Sequence, residues 1–120
     1  MNKRQTGNIY EQIAADYLVK NGYVILERNY YTRRGEIDII AKDTVADCIV
    51  FVEVKYRSGT GKGAPYEAVT KNKLFHITKA AQAYMLMQGN MEIRSRIDVI
   101  SILKEIDDYD IEHFQNVTGF

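Results

Sequence analysis

The stretch VFVEVKYR at residues 50–57 places an acid and a lysine inside an apolar run rich in β-forming residues. Successive side chains of a strand alternate faces, so Glu53 and Lys55 share one face with Phe51. Burying a charge there is costly unless the charge is paired or binds an ion. The pair is therefore either an ordinary same-face ion pair of a half-buried strand or part of a working site.

A second acidic stretch, GEID, ends at Asp38 in the preceding strand. If the two strands pair as a hairpin, Asp38 lies near Glu53. Strand alternation predicts that Glu36 shares the face of Asp38, while Ile37 and Ile39 take the other. Two nearby carboxylates repel each other when both are ionised, and a cation between them removes that repulsion. Acidic oxygens with a few waters are the ligands that Mg²⁺ prefers.

Lys55 adds a positive charge to the two acids, Asp38 and Glu53. The ammonium of Lys55 could hold an attacking water or offset the charge of a phosphoryl transition state. Two acids and a lysine therefore suit metal-assisted hydrolysis of a phosphodiester. VEVKY alone more simply indicates a structural ion pair, and the preceding GEID shifts the balance toward a working site.

Turn signals and apolar periodicity predict the elements that position these residues. The predicted elements are a helix over 8–20, strands over 23–31, 36–42 and 48–56, a helix over 66–88, a strand over 96–103 and a weaker fifth strand over 110–117. Short connections predict that the first three strands form an antiparallel meander, and the long helix predicts a parallel crossover. The expected fold class is α/β, with a mixed sheet in the core order α-β-β-β-α-β and a helix on at least one side.

Composition and charge bound the class of protein. A chain of 120 residues, 46% of them hydrophobic, is expected to form a single domain over residues 1–120. The polar N-terminus and the absence of a long apolar window predict a soluble cytoplasmic protein. One cysteine, Cys48, forms no internal disulfide and is expected to be a small buried hydrophobe. His76 and His113 are single, and each is more simply a surface or hydrogen-bonded histidine than a metal ligand.

The charges are unevenly distributed, although the net charge is zero. Residues 54–80 contain six basic residues against one acid, and residues 105–112 contain five acids. The basic segment predicts either a solvated surface or a nucleic-acid-binding face. Glu36 follows two arginines, and it is more simply an acid of the turn that pairs with Arg33 or Arg34.

Several motifs in a fixed order resemble the YraN-type family of small bacterial proteins. They are GEIDIIAKD, VFVEVKYRSG, G-x-P-x-EAV at 63–69 with Lys73 following, and RIDVISI at 96–102. The resemblance covers about residues 7–120. It implies a restriction-endonuclease-like fold with a D…(D/E)xK site, similar to archaeal Holliday-junction resolvases.

The resemblance also implies roles for individual residues. Asp38 and Glu53 match the metal-binding carboxylates, Lys55 the motif lysine, and Glu11 the acid of the first helix that completes such sites in resolvase relatives. The family usually has Gly before this glutamate, whereas Tyr10 stands here, and a bulkier neighbour could alter access to the site. The residues expected to contact phosphates are Arg34, Arg57, Lys62, Lys71 and Lys73.

The function implied by the resemblance is a Mg²⁺- or Mn²⁺-dependent endonuclease acting on DNA rather than RNA, and on branched DNA as in the resolvases. A homodimer is the assembly that the resolvase relatives suggest. Two alternatives stay open at this point. The first is a non-catalytic module that binds nucleic acid or a partner protein, and the second is a structural module whose strand carries a surface ion pair.

Overall fold

This computed structural model describes residues 3–58, 69–89 and 92–118. Their elements are α1 (Lys3–Lys20), β1 (Tyr23–Tyr31), β2 (Glu36–Asp43), β3 (Cys48–Ser58), α2 (Lys71–Gln88), β4 (Ser95–Lys104) and β5 (Tyr109–Phe114). The strands form one sheet in the order β1-β2-β3-β4-β5, in which β3 and β4 are parallel and the other neighbours antiparallel. The predicted α/β class, mixed sheet and meander are confirmed, and a fifth strand is present. Two bounds were wrong: α1 begins at Lys3 rather than at residue 8, and β5 ends at Phe114 rather than at residue 117.

The two helices cover opposite faces of the sheet. Alternate residues of β3 face opposite ways: Val50 and Val52 pack with residues of α1, and Ile49 and Phe51 pack with residues of α2. Such a continuous apolar run is typical of a strand buried on both faces. Among the described residues, no helix is long and apolar enough to cross a membrane.

Helical periodicity predicts an apolar stripe of Ile9, Ile13 and Tyr17 on α1, with Tyr10, Ala14 and Leu18 beside it. Tyr10, Ala14 and Leu18 are buried against the sheet, whereas Ile9 is 41% exposed. The sheet therefore buries most completely the row beside the predicted stripe, and Ile13 and Tyr17 are only partly buried against it. Glu11 lies at the margin of the buried face and is half-buried.

The second helix begins at Lys71, later than predicted. Thr70 is extended and its hydroxyl accepts a hydrogen bond from the backbone N–H of Lys73 at 3.1 Å, so Thr70 is the N-cap. The helical prediction is therefore wrong at positions 69 and 70, and positions 66–68 lie outside the described residues. The predicted end is confirmed, because Gly89 takes a left-handed φ of 73° after Gln88.

Candidate active site

Strands β2 and β3 separate at the point where the predicted acids lie. Their register ends with Ile39 opposite Val52. Asp38 is the next residue of β2, and its Oδ2 accepts a hydrogen bond from the backbone N–H of Val54 at 2.8 Å. A side chain thus takes the place of the strand partner that this N–H would otherwise require, and the carboxylate is fixed in the fork between the two strands.

The fork also breaks the alternation of side chains along β2. Ile37 packs in the cluster on the α2 side and Ile39 in the cluster on the α1 side. The prediction that these two isoleucines share a face is therefore wrong. The strict period of two depends on continuous pairing with a neighbour, and β2 leaves β3 between these residues.

Glu53 is the most deeply buried acid of this region, with 4% of its surface exposed. Its Oε1 lies 3.7 Å from Lys55 Nζ and 3.8 Å from Lys73 Nζ. Its Oε2 is also buried and has no hydrogen-bond partner. Burial, followed by the negative charge of Asp38, raises the pKa of Glu53 to about 7. Glu53 thus pairs with two lysines through Oε1, and this pairing leaves Oε2 unsatisfied.

The first helix brings a third acid to the same region. Burial and then the charge of Asp38 raise the pKa of Glu11, against an opposing effect of Arg28. Burial also raises the pKa of Asp38, although the N–H of Val54 lowers it. The Oε1 atom of Glu11 is buried without a hydrogen-bond partner. Glu11, Asp38 and Glu53 therefore come from α1, β2 and β3 into one electrostatic cluster.

Glu36 belongs to this cluster as well. Its charge raises the pKa of Glu11, Asp38 and Glu53. Sequence reasoning placed it in the turn, as a partner for an arginine. The structure places it close enough to the three acids to repel their ionised forms.

The cluster suits a divalent cation that takes only some of its ligands from the protein and the rest from water and substrate. Among residues 3–58, 69–89 and 92–118, no three acidic, histidine or cysteine side chains converge closely enough to enclose an ion by themselves. Mg²⁺ is usually bound by one or two carboxylates with water and substrate phosphates. The unsatisfied oxygens of Glu53 and Glu11 are hard anionic donors of the required type. The donor set therefore suits Mg²⁺ or Mn²⁺.

Four of the five predicted phosphate-binding residues lie in the described part of the chain, and one of them contacts the cluster. Lys73 lies against Glu53, Lys71 is exposed at the start of α2, and Arg57 is half-buried near the end of β3. Arg34 is exposed in the turn between β1 and β2. Lys62 lies outside the described residues.

The turn before β2 packs directly on α2 through its glycine. A Cβ on Gly35 would lie 2.9 Å from the carbonyl oxygen of His76 and 3.0 Å from the His76 Cβ. The ring of His76 strengthens this contact, because its Nδ1 donates to the carbonyl of Arg34 at 2.6 Å. His76 is thus a hydrogen-bonded histidine, as predicted. The contact sets the distance between the start of β2, which carries Glu36 and Asp38, and the helix that carries Lys73.

Replacing Gly35 by alanine should therefore push the turn away from α2. We expect a loss of about 1–3 kcal/mol in the free energy of unfolding, which is the usual cost of overpacking. Urea denaturation measures it. Gly7→Ala is the control, because nothing lies within 4 Å of its added Cβ within α1, and a helical alanine should stabilise by up to about 1 kcal/mol. Equal effects of the two substitutions would contradict a close turn–helix contact.

A second polar cluster, which sequence reasoning missed, lies on the α1 side of the sheet. Asp98 has no exposed surface, and both its oxygens accept from Arg96 Nε at 3.0 and 3.2 Å. His113 Nε2 donates to Asp98 Oδ2 at 2.7 Å, and the backbone N–H of Asn116 donates to Oδ1 at 2.9 Å. His113 is therefore a hydrogen-bonded histidine, as predicted.

Arg96 extends this cluster to three further elements. Its Nη1 donates to Asp43 Oδ2 at 2.9 Å and to Cys48 Sγ at 3.1 Å, and its Nη2 donates to the Tyr23 hydroxyl at 2.9 Å. The sequence does contain a pattern that could have revealed this cluster. Arg96 and Asp98 stand two residues apart in an apolar strand, as Glu53 and Lys55 do. Here the charges satisfy one another, which indicates a structural role. Cys48 is buried, as predicted.

Comparison with known proteins gives one consistent family. The model of the uncharacterised protein family UPF0102 matches residues 10–102. A UPF0102 protein of Carboxydothermus hydrogenoformans is 39% identical over 120 residues, covering 100% of both chains. Relatives from Chlorobium phaeobacteroides and Trichlorobacter lovleyi are 49% and 48% identical over 110 and 111 residues, covering 87% and 92% of this chain and 85% and 87% of theirs. The chain therefore belongs to the UPF0102, or YraN, family.

Proposed function

We propose that this protein is a metal-dependent nuclease that hydrolyses phosphodiester bonds in DNA. The observation that carries the proposal is Glu53, a buried carboxyl group beside Asp38 with one oxygen unsatisfied and two lysines on the other. The sheet order and the fork at Asp38 support a restriction-endonuclease-like fold, in which such a group is the hydrolytic site.

The described residues have separate tasks in this proposal. Asp38 and Glu53 would hold Mg²⁺ or Mn²⁺, with Glu11 completing the site from α1. A bound ion supplies a Lewis acid for the phosphoryl oxygens and lowers the pKa of a bound water. The hydrogen bond from Val54 fixes the Asp38 carboxylate before any ligand binds. Lys55 offsets negative charge on the phosphoryl group, and Lys73 does the same from α2.

A purely structural ion pair explains the cluster less well. A structural pair satisfies its charges, as the Asp98 cluster does on the other face. Glu53 instead lies beside a second acid, and burial raises its pKa to about 7. Strongly perturbed carboxyl groups of this kind collect at functional sites. Burying Glu53 beside a second acid costs free energy, and a bound cation and phosphate would supply the partners that these charges lack.

Nucleic acid is the substrate that the surrounding charges favour. Lys71 and Arg34 are exposed near Lys73, at the start of α2 and in the adjoining turn. Arg57 and Lys62 follow Lys55 along the chain. Such contacts would bind phosphates without reading sequence, so affinity should fall as salt rises. DNA, branched DNA in particular, is the substrate class we propose, bound by a homodimer as in the resolvase relatives.

Cleavage of labelled DNA tests the proposal. A four-way junction, a linear duplex and a single strand are incubated with Mg²⁺, Mn²⁺ or chelator. We expect metal-dependent cutting that Glu53→Gln and Asp38→Asn abolish, together with metal binding. Lys55→Ala should abolish cutting while metal binding survives, because an ammonium is not a ligand. Asp47→Asn is the matched control, because it removes an exposed carboxylate at the other end of β3 and asparagine tolerates its φ of 52°.

The same experiment decides between the proposal and its alternative. A folded protein that binds DNA but cuts none of the three substrates with either metal would be a non-catalytic nucleic-acid-binding module. Cutting that continues in Glu53→Gln would place the reaction elsewhere and overturn the assignment of this site.

A further inference from the structure

Arg28 is a half-buried cation of β1 that sequence reasoning did not single out. A bulge between Ile25 and Glu27 shifts the pairing of β1 with β2, so that Arg28 lies opposite Ile39. Ile25 and Ile39 both pack on the α1 side of the sheet. Strict alternation from Ile25 would have placed Arg28 on the α2 side. The bulge therefore turns Arg28 toward α1, and bulges often re-aim a side chain beside a functional site.

Two contacts place Arg28 beside acids of the candidate active site. Its Nη1 donates to Gln12 Oε1 at 2.7 Å, and Gln12 follows Glu11 in α1. Its strand partner, Ile39, follows Asp38 in β2. The positive charge of Arg28 accordingly opposes the burial and the Asp38 charge, which raise the pKa of Glu11. Arg28 thus lies on the α1 side of the fork at Asp38.

Arg28 and Glu11 are close enough to interact, yet each has a buried atom without a partner. Within the described part of the chain, Arg28 Nε donates no hydrogen bond and Glu11 Oε1 accepts none. Leaving a buried donor and a buried acceptor unpaired costs free energy. The guanidinium is instead held by Gln12, whose own Nε2 donates to Asp16 Oδ1 at 2.8 Å. An arginine that served only as the counter-ion of Glu11 would bond to it directly.

A phosphate next to a divalent cation would satisfy both atoms at once. A carboxylate oxygen binds the cation, and a guanidinium N–H donates to a phosphate oxygen. On the α2 side, Lys55 and Lys73 lie beside Glu53 in the same way. A nucleic-acid strand carries a phosphate at every nucleotide, so one strand can supply phosphates to both sides of the fork.

We propose that Arg28 binds a backbone phosphate of the nucleic acid on the α1 side of the fork, beside the cation that Glu11 and Asp38 would hold. This inference rests on the proposed function and adds a phosphate contact across the fork from Lys55. Gln12 is a positioning residue, because it acts only by holding the guanidinium.

DNA binding without turnover tests this contact. The probes are a fluorescein-labelled four-way junction and a linear duplex, Ca²⁺ replaces Mg²⁺, and anisotropy is measured over a series of KCl concentrations. Arg28→Met removes the guanidinium and keeps an apolar stem. It should bind DNA about tenfold more weakly, because hydrogen bonds to charged groups are strong. The plot of log affinity against log salt should become shallower by about one, since one phosphate contact is lost.

The matched control is Arg94→Met, which removes an exposed arginine just before β4, where its carbonyl accepts from the N–H of Ile49 near the start of β3. It should leave the DNA affinity and the salt slope unchanged. Gln12→Met changes an exposed residue of α1 and should weaken DNA binding about threefold, because Arg28 is then held less firmly. If Arg28→Met does not fold, wild-type DNA affinity in folded Gln12→Met overturns the inference.

Ca²⁺ affinity in the absence of DNA separates a phosphate contact from a role through Glu11. Titration calorimetry should show that Arg28→Met binds Ca²⁺ at least as tightly as wild type, because the variant lacks a positive charge near the ion. Wild-type DNA affinity in Arg28→Met, or equal losses of Ca²⁺ and DNA affinity, would overturn the inference. Displacement of the DNA by an equal concentration of inorganic phosphate would assign the contact to a free phosphate and overturn it as well.

Cleavage of the same DNA in Mg²⁺ distinguishes this inference from the proposed function. Weaker binding by Arg28→Met, with no cleavage by wild type, sinks only the nuclease. Cleavage by wild type, with unchanged binding by Arg28→Met, sinks only the phosphate contact.

Discussion

Glu53→Gln should stabilise the metal-free protein at about pH 8 and leave its stability almost unchanged at about pH 5. Folding raises the pKa of Glu53 from 4.5 to about 7, so the folded state binds more protons than the unfolded state between these values. The free energy of unfolding therefore falls as pH rises through this interval and stays low above it. A shift of this size corresponds to about 3 kcal/mol, and we expect glutamine to recover about 1–3 kcal/mol of it.

Urea denaturation of both proteins in chelator at the two pH values measures this effect. Asp47→Asn should show the same difference from wild type at both pH values. Adding Mg²⁺ should then stabilise wild type and not Glu53→Gln, because a ligand stabilises only the state that binds it. If Glu53→Gln changed the free energy of unfolding equally at pH 5 and pH 8, folding would not raise the pKa of Glu53.

Asp98→Ala should destabilise the fold by about 3–5 kcal/mol, which is the cost of breaking a buried ion pair by removing one partner. The substitution leaves Arg96, His113 and the N–H of Asn116 without their shared acceptor. Burial alone would raise the pKa of Asp98, but hydrogen bonds from His113 and Arg96 outweigh it and hold the pKa below 3.8. Its ionised form is therefore favoured by folding.

Urea denaturation at neutral pH measures the loss, with Asp107→Ala in the exposed β4–β5 turn as the control, expected within about 0.5 kcal/mol of wild type. An acid whose pKa falls on folding stabilises at pH values above its unfolded pKa. The charge-dependent part of the Asp98 contribution should therefore shrink as pH falls below 3.8. A loss under 1 kcal/mol at neutral pH would show that the cluster is not a structural centre.

Local patterns determined most of the secondary structure. Strand β1 has the predicted bounds, and β2, β3 and β4 differ from prediction by one or two residues at an end. Apolar runs bounded by Gly, Asn and charged turns specify strands because they satisfy both burial and turn chemistry locally. The start of α2 was predicted too early, because an N-cap depends on one hydrogen bond, here from Lys73 N–H to the Thr70 hydroxyl.

The candidate site was predictable in residue type and only partly in geometry. Asp38, Glu53 and Lys55 could be chosen from their spacing, because strand alternation is a local property. The fork at Asp38 and the break between Ile37 and Ile39 depend on how far β2 pairs with β3. The place of Lys73 depends on the Gly35–His76 contact between a turn and a helix distant in sequence.

The sequence by itself determined which residues are acids, lysines and apolar strand formers, and in what order. Only the tertiary structure decided that Glu11 and Lys73 both lie near Asp38, that Asp98 is satisfied while Glu53 is not, and that Tyr10 stacks on Tyr56. The physical reason is that burial, electrostatic repulsion and stacking act through space. These interactions join residues separated by tens of positions, and no local pattern encodes them.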